Sequence, residues 1–162
     1  MKYILDYFDD NCDYAFYVNA NAIFNETTNI NLNYDMNFVM HTGYNDNSKY
    51  KEYNDNQIEG SESFIDYDKL PNGIKYCQSG FFGGKPNYLK QFCKDICQML
   101  EIDLAKGIIP TWHDESYLNK WLYCNYWLVE NKPNYNINAF EDIVDLEYKG
   151  IQINNFFKHK SF

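Results

Sequence analysis

The sequence has 162 residues, enough for one domain with a single hydrophobic core, and we expect residues 1–162 to form that one domain. Its net charge of −9 excludes electrostatic attraction to nucleic acid or an anionic membrane. All of its basic residues apart from histidine are lysines, so no arginine is present to bind a phosphate through two hydrogen bonds. Acidic residues near the N-terminus exclude a secretory signal, and no apolar run approaches the ~20 residues of a membrane span, which together predict a cytoplasmic protein without membrane association.

Three short apolar segments predict the strands of a sheet. They are DYAFYV at 13–18, NFVMHTG at 37–43 and IKYCQSGFFGG at 74–84. Directly after the first segment, an extended backbone would place Asn19 and Asn21 on one side, because side chains alternate along a strand. The polar composition of residues 44–73 predicts a surface excursion, with a turn at LPNG.

Two helices are predicted after the third strand. The first opens at Pro86 and ends near Gly107, and its apolar positions at three- and four-residue spacing are Leu89, Phe92, Cys93, Ile96 and Leu100. The second begins at Asp114 as its N-cap and buries Leu118, Trp121 and Leu122. The aromatic and basic tail, 151–162, has the composition of either a mobile lid or a frayed end.

This alternation of strands and helices predicts an α/β domain, in which ligands bind at the carboxyl ends of the strands. The residues expected at those ends are Asn19, Asn21, His41, Gly83, Gly84 and the WHDE group at 112–115. Each has an ordinary structural explanation when taken singly, since a glycine pair often forms a turn and an aspartate before a helix often caps it. The pattern alone therefore predicts a soluble α/β domain with a ligand cleft.

A longer combination of residues is more specific. The string WHDESYLNKWL at 112–122, preceded by SGFFGG at 79–84 and NANAIF at 19–24, resembles the α-1,3-galactosyl- and N-acetylgalactosaminyltransferases of the ABO blood-group enzymes, glycosyltransferase family 6. The resemblance covers about residues 1–135. It implies a GT-A type, Rossmann-like nucleotide-sugar fold. It also implies retaining α-1,3 transfer of Gal or GalNAc from a UDP-sugar to a galactoside or fucosylated galactoside.

The resemblance assigns roles to the matching residues. Glu115 occupies the place of the family's catalytic glutamate, which acts either as nucleophile or as stabiliser of the developing cation. Asp114 would hold hydroxyl groups of the donor sugar. On the acceptor side, Trp112 would pack on the apolar face of the sugar and His41 would bond the galactose.

The donor positions include one departure from the animal enzymes. Gln78 and Gly80 match the positions that tune Gal against GalNAc, and the absence of a side chain at Gly80 favours GalNAc. Asn19 and Asn21 stand where the animal members carry the Asp-any-Asp motif that holds a divalent metal on the diphosphate. Because neutral amides are weaker ligands for Mg²⁺ and Mn²⁺ than carboxylates, and bacterial members share Asn-any-Asn, we expect a metal-independent enzyme without a cofactor.

Without a metal, another group must offset the charge that develops on the departing diphosphate. The candidates are Lys158 and Lys160 in the tail, which corresponds to the basic C-terminal segment that family members order over the diphosphate. The alternative is that these lysines belong to an exposed, solubilising end.

The start of the chain supplies a competing hypothesis. Only about 18 residues precede NAN, where the family has a further strand-helix-strand unit, so the N-terminal unit is expected to be truncated. A non-catalytic carbohydrate- or nucleotide-sugar-binding remnant is therefore the alternative to an enzyme. Hydrolysis by a metal on His113, Asp114 and Glu115 is disfavoured, because consecutive side chains diverge and seldom ligate one ion.

Overall fold

The computed structural model describes residues 11–19, 30, 32–41, 58–66, 69–70, 75–125 and 135–136. The strands in these ranges are β1 (Ala15–Val18), β2 (Met36–Met40), β3 (Cys77–Gly84) and β4 (Tyr135–Asn136), and the helices are α1 (Pro86–Ala105) and α2 (His113–Cys124). The predicted α/β class, three predicted strands and two predicted helices are confirmed. The tail at 151–162 lies outside the described residues.

The strand order in the described part of the sheet is β1-β3-β2-β4. The central strand β3 runs antiparallel to both β1 and β2, whereas β2 and β4 are parallel. Val18 at the end of β1 pairs with Phe81, and Met40 at the end of β2 pairs with Cys77. The exit of β2 therefore lies beside the first residue of β3, and the exit of β1 lies beside the middle of β3.

This strand direction corrects the expectation that Gly83 and Gly84 join the other strand ends at a ligand site. They lie at the opposite end of the sheet, where Gly84 is paired with Ala15 on one side and Met36 on the other. A Cβ atom at Gly83 would collide with the backbone of Ala15, and one at Gly84 with that of Asp35. The glycines allow close approach of the strands and are not part of the site.

Both helices pack their apolar faces on one face of the sheet. As predicted, α1 buries Leu89, Phe92, Cys93 and Ile96, and its Leu100 packs against the same core. From α2, Tyr117, Leu118, Trp121 and Leu122 enter this core, where the Phe92 and Trp121 rings meet edge to face with centroids 5.0 Å apart. This packing holds α2 against the start of β3.

A buried carboxylate joins the helices to the preceding segment. Asp103 of α1 is fully buried and accepts hydrogen bonds from the Ser61 hydroxyl (2.5 Å), the Glu62 amide (2.8 Å) and the Tyr117 hydroxyl (3.1 Å). Burial raises the pKa of Asp103, but these hydrogen bonds and the charge of Lys106 outweigh burial and lower it overall. The buried carboxylate of Asp103 is therefore stabilised in its ionised form.

The same contacts correct part of the predicted surface excursion at 44–73. Within 58–66, the side chains of Ser61, Ser63 and Ile65 are buried. The polar composition of this segment predicts that its side chains are exposed. The two serines are nevertheless buried, because Ser61 forms a hydrogen bond with Asp103 and Ser63 forms one with Ser61. Residues 44–57 and most of the LPNG turn lie outside the described residues. None of the helices in the described ranges is long and apolar enough to cross a membrane.

Candidate active site

The candidate site lies at the edge of the sheet where β1 and β2 end and β3 begins. The Asn19 amide donates to the carbonyl of Gly80 (3.0 Å), and the His41 amide donates to the carbonyl of Tyr76 (2.8 Å). Each bond extends strand pairing one residue beyond the strand. Asn19 and His41, two of the residues predicted at strand ends, are therefore fixed on opposite sides of β3.

The first turn of α2 closes this edge. Its N-cap position is Trp112, so the prediction that Asp114 caps the helix is wrong. The helix starts instead at His113, whose φ of +49° lies in the left-handed region, and the Glu115 amide donates to the carbonyl of Trp112 (3.0 Å). Asp114 and Glu115 both fall within the first turn, where the helix dipole stabilises negative charge.

The carboxylate of Glu115 is held at both oxygens. Its Oε1 accepts a hydrogen bond from the Tyr76 hydroxyl at 2.9 Å, and its Oε2 accepts one from the backbone amide of Ser79 at 2.9 Å. Both donors belong to β3 or to the residue just before it, and the Glu115 side chain is only half-buried. These two hydrogen bonds fix the orientation of the carboxylate at this end of the sheet.

Asn119, one turn after Glu115, ties the helix to the strand. Its Oδ1 accepts from the amide of Cys77 (2.9 Å), and its Nδ2 donates to the carbonyls of Cys77 (2.8 Å) and Glu115 (2.9 Å). Sequence reasoning missed this role. The available signal was an asparagine on the predicted buried face of α2, beside Leu118 and four residues after Glu115.

The residues expected to contact the donor converge on one side of Glu115. The Tyr17 hydroxyl donates to Asn19 Oδ1 at 2.9 Å. Burial, followed by the negative charge of Asp114, raises the pKa of Tyr17, which places Asp114 within electrostatic range of this pair. A Cβ atom at Gly80 would lie 3.3 Å from Asn19 Nδ2 and 3.6 Å from Gln78 Oε1.

These contacts bear on metal binding. The side-chain oxygen of Asn19 accepts the Tyr17 hydroxyl. A neutral amide oxygen is a weaker ligand for a hard divalent ion than a carboxylate. Among the described residues, Asn19 therefore does not provide the carboxylate that a metal-dependent site would carry at this position.

The two residues expected on the acceptor side are His41 and Trp112. The ring of His41 meets the ring of Tyr76 edge to face with centroids 6.0 Å apart. Burial lowers the pKa of His41 to about 4, so the imidazole is neutral at pH 7 and suited to an uncharged hydroxyl group. Trp112 is 40% exposed at the start of α2.

Three of the predicted site residues are not placed by the structure. Asn21, Lys158 and Lys160 lie outside the described residues. The other predicted site residues are placed by the structure, and they lie at the end of the sheet that is next to the first turn of α2. They are Asn19, His41, Gln78, Gly80, Trp112, Asp114 and Glu115.

Comparison with known proteins gives a consistent result. A family model described as Glycosyltransferase family 6 matches residues 1–142. The O-antigen biosynthesis glycosyltransferase WbnI of Escherichia coli is 34% identical over 115 residues, which cover 69% of this chain and 47% of that protein. The histo-blood group ABO system transferases 1 and 2 of Rattus norvegicus are 40% and 39% identical over 62 residues, covering 38% of this chain and 17% and 18% of theirs. The matched region thus spans about half of the bacterial relative and less than a fifth of each rat protein.

Proposed function

The chain belongs to glycosyltransferase family 6, and from this premise we propose that it is a retaining hexosyltransferase. The donor is UDP-GalNAc or UDP-Gal, the acceptor is a galactoside or fucosylated galactoside, and the new linkage is α-1,3. We further propose that the chain adopts a GT-A type organisation and needs no divalent metal. The supporting family evidence is the match over residues 1–142 together with the bacterial and rat relatives.

The observation that carries the proposal is the Glu115 carboxylate. Retention requires a group on the face of the hexose opposite the leaving diphosphate, and a carboxylate there either attacks the anomeric carbon or stabilises the developing cation. Tyr76 and Ser79 hold Glu115 in one orientation and favour its ionised state. An ionised, immobilised carboxylate serves both roles, and neither requires it to give up a proton.

The surrounding residues divide between the two substrates. Asp114 would accept hydrogen bonds from hydroxyl groups of the donor sugar, and the Asn19 amide would lie beside the diphosphate, with Gln78 and Gly80 beneath the 2-substituent of the hexose. His41 and Trp112 would bind the acceptor on the other side of Glu115. Support for this division comes from two sets of contacts: one joins Tyr17, Asn19 and Gly80, and the other joins His41, Tyr76 and Glu115.

Loss of the diphosphate leaves negative charge that a metal neutralises in the animal enzymes. With asparagine in place of aspartate, we propose that Lys158 and Lys160 supply the compensating positive charge. The Lys158→Ala and Lys160→Ala double variant should then lower kcat while the turnover that remains stays insensitive to EDTA.

Transfer assays on the full chain test the proposal. With a galactoside acceptor and excess EDTA, the wild-type protein should consume UDP-GalNAc or UDP-Gal, and Glu115→Gln should lower kcat about a hundredfold or more without loss of fold. Glu101→Gln is the matched control, because Glu101 is exposed on α1 and should have no effect. Undiminished transfer by Glu115→Gln would remove this residue from the mechanism.

The second candidate function is the non-catalytic carbohydrate- or nucleotide-sugar-binding protein considered from the sequence. Calorimetry and transfer assays together separate the two: binding of a galactoside or of UDP without turnover would favour the binding protein, whereas turnover supports the transferase.

A further inference from the structure

We propose that Tyr76 is a positioning residue for Glu115, and that its hydroxyl sets both the orientation of the carboxylate and the pH at which it ionises. This inference rests on the proposed transferase function. Its structural basis is a tyrosine ring that is only 1% exposed, with its hydroxyl 2.9 Å from Glu115 Oε1. None of the roles assigned from motif resemblance includes this residue.

Two directed donors orient the two oxygens of this carboxylate. The Ser79 amide is part of the β3 backbone and anchors Oε2. The Tyr76 hydroxyl fixes the other oxygen. A misoriented carboxylate lowers the rate even when the substrates bind normally, because reaction requires close alignment of the attacking or stabilising oxygen.

Tyr76 is itself held rigidly. Its carbonyl accepts the His41 amide at 2.8 Å, and its ring packs edge to face on the His41 ring. The phenol therefore connects the residue proposed for the acceptor with the residue proposed for catalysis.

Other titratable groups of the described residues lie near Glu115. They are Cys77 at the start of β3, whose thiol is kept neutral by burial and then by the charge of Glu115, His41 at the end of β2, neutral at pH 7, and Asp114 on α2 itself. The Tyr76 hydroxyl donates directly to the Glu115 carboxylate, and a donated hydrogen bond favours the ionised form. Removal of this hydroxyl should therefore raise the pH at which Glu115 ionises.

Tyr76→Phe tests the inference, because it removes only the hydroxyl. We expect kcat to fall about tenfold with the donor KM nearly unchanged, and the acid limb of the pH profile of kcat/KM to move to higher pH by about one pH unit. The matched control is Tyr117→Phe, which removes a buried hydroxyl from α2, the helix that carries Glu115; this hydroxyl is bonded to Asp103 of α1. This control should lower stability and leave the pH profile unchanged.

A second variant guards against a folding defect in Tyr76→Phe. Site-specific incorporation of 3,5-difluorotyrosine at position 76 keeps the ring and makes the hydroxyl a stronger hydrogen-bond donor, so the acid limb should move in the opposite direction, to lower pH. If turnover depends on Glu115 but neither substitution moves the acid limb, the role of Tyr76 is wrong and the transferase function stands. If the wild-type chain shows no turnover, the proposed function fails, and the inference with it.

Discussion

The two ends of β3 are built in opposite ways. At the start, Tyr76 and Ser79 hold the Glu115 carboxylate through directed hydrogen bonds, and Gly80 lies beneath the Asn19 amide. At the other end, Gly83 and Gly84 are so close to the neighbouring strands that a side chain would strike backbone. One end arranges reactive groups, and the other brings three strands together. Substitutions along this one strand should therefore separate loss of folding from loss of chemistry.

The largest effect is expected at the closely packed end. Gly84→Ala would place a methyl group against the backbone of Asp35 and Met36. Backbone atoms cannot avoid the methyl group by a change of side-chain rotamer. We expect the free energy of unfolding to fall by about 3 kcal/mol or more, measured by urea denaturation. Gly80→Ala on the same strand is the control. Equal stability of both variants would contradict the contrast between the two ends.

A smaller loss is expected where α2 joins the start of β3. Asn119→Ala would leave the buried amide and carbonyl of Cys77 without the side chain that pairs with them, which should cost about 2 kcal/mol or more. It should also lower kcat, because Glu115 lies one turn earlier on the same helix. Urea denaturation and initial-rate assays at a temperature where the variant remains folded measure the two effects separately.

Asn125→Ala is the matched control for that prediction. Asn125 lies just after α2, where its side-chain Nδ2 donates to the carbonyl of Trp121 at 2.8 Å, away from Glu115. Its removal should cost less than about 1 kcal/mol and leave kcat unchanged. A stable Asn119→Ala with full activity would show that Asn119 does not position the helix.

The contrast between the two ends also explains what the sequence could and could not predict. The buried stripe of α1, from Leu89 to Ile96, follows from spacing alone, and so does the existence of a helix after Trp112. Strand direction does not follow from spacing. The sequence analysis placed Gly83 and Gly84 at the site because it expected the carboxyl ends of all the strands to lie together. They lie at the opposite end of the sheet because β3 is antiparallel to β1 and β2.

The partners of Glu115 were unpredictable for the same reason. Tyr76 and Ser79 lie 39 and 36 residues before Glu115, and their contacts depend on which strand lies beneath α2. Motif resemblance identified Glu115, Asp114 and Asn19 as candidates, since it concerns residues that meet substrate. It assigned no role to Asn119, whose signal is a polar side chain on a buried helix face.

The smallest effect on stability is expected at Gly80, where the effect on function should be specific. An alanine Cβ would lie 3.3 Å from Asn19 Nδ2, and this side-chain end is able to shift by a few tenths of an ångström, so the free energy of unfolding should change by less than about 1 kcal/mol. The methyl group would occupy space proposed for the 2-substituent of the donor. Gly80→Ala should therefore lower kcat/KM for UDP-GalNAc about tenfold relative to UDP-Gal, measured by competition between the two donors. An unchanged ratio in a stable variant would place that substituent elsewhere, and a loss of stability as large as that of Gly84→Ala would show that both ends of β3 are equally intolerant of an added atom.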